Sequence, residues 1–288
     1  MQAKIIQLVK SSFQIYLYDE QIIVPALIKG IFKYENQKHK PLVGDNVQVE
    51  LIDNQYVIVA FTERTNTLIR PRIANVDVVV IVSSFQQPYL NVYQLNKLIA
   101  YYEFQNIRHV VLAFSKYDLL DDQNEADTII QNFRKDNYQV FNLQKKTDLN
   151  VLKNLITNHV FCLVGQSGVG KSTLINKLLQ ADVQKTQGVS LSLQRGKNTT
   201  TATKLIPVSN AFLVDTPGYS SLDLSILTPQ ELARSFKDFA QLSLKCKFQD
   251  CLHVSEPMCA VKQAIEQHEI LEFRYKDYLL MLKEVKNS

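Results

Sequence analysis

"GQSGVGKS", residues 165–172, decides how this chain is read. It fits G-x-x-x-x-G-K-[ST] and stands between an apolar run, "VFCLV", and a helical pattern, "STLINKLLQ". A strand, a glycine-rich turn and a helix in that order predict a phosphate-binding loop. Glycines let backbone N–H groups converge on phosphate oxygens, and the helix N-terminus adds partial positive charge. Gly165, Gln166, Ser167, Gly168, Val169, Gly170, Lys171, Ser172 and Thr173 are therefore the candidate phosphate-binding residues. Lys171 is expected to reach the β- and γ-phosphates, and the Ser172 hydroxyl to ligate Mg²⁺. The expected ligand is a nucleoside triphosphate.

Downstream, "FLVDTPG" at 212–218 delivers Asp215 from an apolar strand. Its carboxylate is placed to hold Mg²⁺ through water, and the Gly218 N–H to meet the γ-phosphate. Asp-Thr-Pro-Gly is also good turn chemistry, so its weight comes from following the loop. Between the two lies "RGKNTTTAT", 195–203. A threonine there gives its hydroxyl to Mg²⁺ and its N–H to the γ-phosphate, ordering the segment around a triphosphate. Thr200 is the expected ligand, with Thr199 next; the competing reading is a threonine-rich edge strand.

Upstream, "AFSKYDLL" at 113–120 carries an NKxD-like tetrapeptide, Ser115, Lys116, Tyr117 and Asp118. Guanine presents N1–H and a 2-amino group, and one carboxylate accepts from both. Adenine offers no such pair, so Asp118 would discriminate by leaving its own charge unpaired with the wrong base. The Lys116 stem can lie along the base. Ser115 stands where asparagine is usual, keeping a hydroxyl but losing the amide's reach. The alternative is a strand end whose charges cap the next helix. With the loop and DTPG in one α/β domain, guanine is the better reading. The order is then base motif, phosphate loop, switch, DTPG: a circularly permuted arrangement, which a sheet tolerates because domain termini usually lie close together.

The flanks differ in texture. Residues 1–68 hold short β-branched and aromatic runs, "FQIYLYD", "QIIVPALI", "NVQVELI" and "QYVIVAF". They predict a small barrel of four or five strands, an OB-fold or a similar SH3-like barrel. Residues 69–224 alternate continuous Val/Ile/Leu runs with helical patterns, predicting a parallel sheet covered on both faces. Residues 225–288 read as mostly helical, with Pro229 near a first turn. That segment contains Cys246, Cys251, His253 and Cys259 in C-x4-C-x-H-x5-C spacing. Three thiolates and an imidazole are the closed ligand set of structural zinc.

With 46% hydrophobic and 21% charged residues, the composition is that of an ordinary globular chain. No apolar run approaches the roughly 20 residues that span a bilayer. The start lacks a signal peptide's apolar core, so a cytoplasmic, membrane-free protein is expected. Net charge is +4. Residues 1–68 carry seven basic and seven acidic side chains, and 225–288 nine of each. That balance is too mild to predict nucleic-acid binding from charge.

Taken together these residues resemble the RsgA (YjeQ) family of circularly permuted GTPases. The likeness runs through "GD" at 44–45, "TLIRPRIANVDVVVIVSS" at 67–84, "GQSGVGKSTLIN", "RGKNTTTAT", "DTPGY" and "CKFQDCLHVSEPMCAV". It implies an N-terminal OB-fold, a permuted P-loop GTPase domain and a C-terminal zinc domain. It also implies a monomer using GTP/GDP, Mg²⁺ and one structural Zn²⁺, docking on the 30S subunit and its 16S rRNA late in maturation. Hydrolysis stimulated by the subunit would then drive release. Three positions depart from the usual pattern: Ser115; Asn198, where the family typically has a histidine assigned to catalysis; and Tyr219, in place of a water-orienting glutamine, as is usual in this family. Asn198 cannot be a general base but can hydrogen-bond to water or phosphate. Slow intrinsic hydrolysis follows, with RNA supplying what is missing. A GTP-controlled ribosome-binding module with incidental turnover is the alternative. A permuted GTPase of the large subunit is disfavoured by the zinc cluster and the barrel.

Overall fold

The β-branched runs near the start form five strands: β1 Gln2–Val9, β2 Ser12–Leu17, β3 Ile22–Ile28, β4 Asn46–Ile52 and β5 Gln55–Phe61. In this computed structural model the described residues are 1–9, 12–28, 40–180, 203–215, 222 and 224–287. They fall into two units, the first Met1–Val78, Lys153–Cys162 and Ile175–Gly218, the second Val79–Leu152, Leu163–Leu174 and Tyr219–Ser288.

In the first unit the strand order is β1-β2-β3-β5-β4, and β4 pairs back onto β1 to close the barrel. Every pairing is antiparallel except β3 with β5. That topology is the OB-fold, so the SH3-like alternative falls. Alternate residues point inward: Ala3 faces Leu17 and Ile5 faces Ile15, and these join Ala26, Val47, Val49 and Ile58 in one buried cluster. Two short strands, β6 Thr67–Leu68 and β7 Ile73–Ala74, pair beyond the barrel. The "GD" pair has a steric reason. Gly44 sits at φ +93°, and a Cβ there would lie 2.0 Å from the Ala74 carbonyl oxygen. Asp45 is buried and accepts from Arg64 Nε at 2.6 Å and from the Leu42 amide at 2.8 Å.

The second unit begins with the continuous apolar runs. They form β8 Val78–Ser84, β9 His109–Ser115 and β10 Val140–Asn142, with β9 between the other two. β10 runs parallel to β9, Asn142 opposite Phe114. Between them lie α1 Val92–Phe104 and α2 Asn124–Lys135, and α3 Lys146–Ile156 follows. Asn91 caps α1 by accepting from the Gln94 amide at 3.0 Å. α2 has Glu125 and Asp127 in its first turn and Arg134 and Lys135 in its last, charges that complement the helix dipole.

The decisive stretch is strand, turn and helix as read: β11 Val160–Val164, then α4 Lys171–Gln180. The hairpin β12 Lys204–Val208 and β13 Ala211–Asp215 follows. In the first unit β13 lies parallel to β11, Val214 opposite Cys162, and β12 pairs with β1 at Lys204 and Gln7. The second unit ends in α5 Pro229–Arg234, α6 Lys237–Ser243, α7 Ala260–Glu266 and α8 Glu272–Lys286. Thr228 and Glu231 form a capping box ahead of α5, with Pro229 in its first turn. Arg274 of α8 is wholly buried, 3.2 Å from Asp136 and 3.4 Å from Asp238, over the rings of Tyr138 and Phe236. Among the described residues no helix is long and apolar enough to cross a membrane.

Candidate functional site

Within the second unit the base motif and the phosphate loop meet. Gly165 has φ +140°, and a Cβ there would come 2.1 Å from the Val82 carbonyl oxygen, so only glycine lets the chain turn off β11 beside β8. Gly170 has φ +97°; its missing Cβ would sit 3.5 Å from Ser115 Oγ. Into that gap Ser115 donates a 2.6 Å hydrogen bond to the Val169 carbonyl, and its hydroxyl lies 3.4 Å from Ser83 O. The reach expected to be lost with the asparagine is retained by one hydroxyl.

Lys171 Nζ donates to the Gly165 and Gln166 carbonyls at 2.7 and 2.6 Å, arching over the loop it follows. Burial lowers the pKa of its ammonium. Ser172 and Thr173 are exposed at the start of α4. Lys116 has a left-handed backbone, φ +56°, and its ammonium donates to the Gln87 carbonyl. Asp118 is exposed within a single 3-10 turn, Tyr117–Leu119, while the Tyr117 hydroxyl donates to Asp127 at 2.7 Å. Below the turn Phe85 stacks on Phe114 at 4.8 Å.

Sequence reading gave no role to the turn after β10. Parallel pairing places it beside the base motif: Leu143 N donates to Phe114 O at 2.8 Å. The Asn142 carboxamide accepts from the Gln144 amide at 3.0 Å, and Asp148 accepts from the Asn142 amide at 2.8 Å. The available signal was positional, since strands of one parallel sheet end at one edge.

Asp215, in the first unit, ends β13 and lies 3.4 Å from Lys204 Nζ. A serine hydroxyl and an aspartate carboxylate are the oxygen donors Mg²⁺ takes. Asn198, Thr199, Thr200, Gly218 and Tyr219 lie outside the described residues.

The cysteine cluster closes on itself. The ligand atoms of Cys246, Cys251, His253 and Cys259 all lie within 4.8 Å of one another. His253 Nδ1 is 3.3 Å from Cys259 Sγ, and Cys246 Sγ is 3.9 Å from Cys259 Sγ. Zinc–sulfur bonds of about 2.3 Å in a tetrahedron give an edge of about 3.8 Å, so the set fits zinc. His253 Nε2 is 3.0 Å from Ser243 Oγ, which leaves Nδ1 toward the sulfurs. Burial lowers the His253 pKa and so favours the neutral imidazole that binds metal. Burial also pushes the Cys251 thiol up to about 12, which a bound cation would reverse. Glu256 holds the ligand loop through the Leu252, Val254 and Ser255 amides, and Tyr275 and Tyr278 of α8 donate to the His253 and Leu252 carbonyls.

The sequence profile of the RsgA GTPase family matches residues 61–225. Among curated relatives, the small ribosomal subunit biogenesis GTPase RsgA of Ureaplasma urealyticum serovar 10 is 47% identical over 290 residues, covering 100% of this chain and 96% of the relative. The protein of the same description from Malacoplasma penetrans is 43% identical, covering 99% of this chain and 100% of its own length. Two solved structures superpose over nearly all of the chain. The crystal structure of YloQ, described as a circularly permuted GTPase, gives a TM-score of 0.82 at 31% identity, covering 99% of this chain and 95% of its own. That of YjeQ from Thermotoga maritima gives 0.83 at 27% identity, covering 100% and 99%.

Proposed function

The chain belongs to the RsgA GTPase family and is a GTP-hydrolysing enzyme, and from that premise we propose that it acts late in small-subunit assembly, docking on the 30S particle and leaving after hydrolysis. The observation that carries this reading is the Ser115–Val169 bond: it joins a guanine motif to a phosphate loop that follows it in the chain.

Each residue then has a task. Asp118 accepts from both guanine donors, and the Lys116 stem flanks the base. The amides of Gly165 to Thr173 and the Lys171 ammonium bind and orient the phosphates. Ser172, Thr200 and Asp215 would hold Mg²⁺, and Gly218 would offer its N–H to the γ-phosphate. Bound there, the metal would supply charge stabilisation for the transferred group. Asn198 can orient a water by hydrogen bonding but cannot take its proton. Intrinsic turnover is therefore slow, and 16S rRNA completes the site. Cys246, Cys251, His253 and Cys259 hold structural zinc.

The working division is a barrel at 1–68, the permuted GTPase at 69–224 and a zinc-binding helical part at 225–288. We place the protein in the cytoplasm, as a monomer. Co-sedimentation with 30S, 50S and 70S particles under GTP, GDP and a non-hydrolysable analogue tests the proposal. Retention on 30S with the analogue and release with GDP are expected. Release that persists with the analogue favours a binding module in which turnover is incidental, the reading Asn198 supports.

A further inference from the structure

Two lysines of the first unit face carboxylates, and they differ in how firmly they are held. Lys4 of β1 is 4% exposed and donates to Gly44 O at 3.2 Å. Burial lowers its pKa to about 8, against the pull of Asp77 and Asp45. Lys204, the first residue of β12, stands directly across the strand pair from Asp215, the last residue of β13. Its Nζ lies 3.4 Å from Asp215 Oδ2, and both side chains are partly open to solvent.

Asp215 ends the strand that leads into DTPG, and its carboxylate is the one that would hold Mg²⁺. Among the described residues Lys204 is the only partner of that carboxylate. At 3.4 Å the contact is an ion pair, longer than the roughly 2.7–2.9 Å of a charge-assisted N–H···O bond. A half-solvated pair of this kind is weak, because modest Coulomb attraction is set against side-chain entropy. The backbone beneath it is firm. Lys204 pairs with Gln7 of β1 on one side and with Asp215 on the other, so its Cα is fixed in the sheet. What can turn is the flexible four-carbon stem, which carries a strongly hydrated ammonium.

We propose that Lys204 and Mg²⁺ compete for the Asp215 carboxylate, so that Lys204 is a positioning residue setting how much Mg²⁺ nucleotide binding requires. The two cations differ in charge and in coordination. Mg²⁺ is divalent and takes carboxylate oxygens, directly or through its waters, in a near-octahedral shell. The ammonium is a monovalent point charge with three donors. The divalent ion therefore wins at sufficient concentration, but it must break the pair and meets like charge until the ammonium swings away. A plain cross-strand ion pair would behave differently, adding a little stability and nothing more. Competition moves the metal requirement; pairing alone moves only the melt.

The inference rests on the reading of Asp215 as a Mg²⁺ carboxylate, and the test separates the two. Full-length protein is loaded with N-methylanthraniloyl-GDP, and release into excess GDP is followed by stopped flow over a range of free Mg²⁺ and in EDTA. The midpoint is the Mg²⁺ concentration at which release is half slowed. Lys204→Met should lower the midpoint by about three- to tenfold, the scale of one partly exposed charge removed from beside the carboxylate. Lys204→Gln should do the same, and it keeps the test valid if the methionine variant folds poorly. Lys204→Arg retains the charge and should keep the wild-type midpoint. In EDTA the neutral variants should release GDP at the wild-type rate. An unchanged or raised midpoint in the neutral variants overturns the proposal, and so does a change in release that is equal with and without Mg²⁺. Asp215→Asn reports on the underlying reading: it should raise the midpoint and abolish the effect of Lys204→Met in the double variant. An effect of Lys204→Met that persists beside Asp215→Asn overturns the proposal, since it then acts elsewhere. If Asp215→Asn raises the midpoint while the Lys204 variants leave it alone, the competition fails and the metal reading stands. If Asp215→Asn keeps the wild-type midpoint, the metal reading fails and the competition falls with it.

Discussion

Ser115 Oγ lies 2.6 Å from the carbonyl oxygen of Val169, a hydrogen bond spanning 54 positions of sequence. It ties the candidate base-reading turn directly to the candidate phosphate loop, and Gly170 leaves the space in which it forms. Ser115→Ala leaves a buried carbonyl without its partner. GTP and GDP affinities should fall together by about 3- to 10-fold, with the preference for guanine over adenine nucleotides unchanged. Titration calorimetry with GDP, GTP and ATP checks both halves.

Asp118 should carry that preference. Asp118→Asn replaces a double acceptor with an amide that can donate to the 2-oxo group of xanthine. Relative affinity should move from GTP toward XTP by roughly 10²-fold or more. Competition between the two nucleotides measures it, and retained GTP selectivity would remove Asp118 from the site.

Zinc content is a separate matter. Purified protein should hold roughly one zinc per chain by elemental analysis. Cys251→Ser, or a strong chelator, should lower both zinc content and the melting temperature. The melt should recover on adding zinc to the chelated wild type but not to the variant. Full stability without metal would make the cluster a packing feature.

Lys4 gives a pH signature. Its folded pKa, about 8, lies below the ordinary lysine value of 10.5, so between those values the unfolded chain binds more protons. The penalty for burying the charge is present below pH 8 and is relieved as pH rises toward 10.5. Relative to Lys4→Met, the wild type should gain about 3 kcal/mol of stability over that window. Denaturant titrations of both proteins at pH 7.5, 9 and 10.5 read the difference; a constant gap would contradict the burial account.

What the sequence made legible was local chemistry. A glycine loop between a strand and a helix, Asp215 at the end of an apolar strand, and four candidate metal ligands within fourteen residues all declare themselves by spacing. Long-range pairing does not. The closure of β1 on β4 and the parallel pairing of β3 with β5 separate an OB-fold from an SH3-like barrel, and strand-length patterns are the same in both. Arg274 reads as a solvated helix charge until Asp136 and Asp238 are brought to it from 138 and 36 positions away. Ser115 likewise looked too short, because nothing in "SKYD" shows that Val169 comes within reach.

The central claim is a GTPase switched on by the small subunit. The direct measurement is the steady-state rate of phosphate release from GTP, alone and with purified 30S or 50S particles. A slow basal rate raised roughly tenfold or more by 30S, and not by 50S, is predicted. A fast basal rate that 30S subunits leave unchanged would contradict the account.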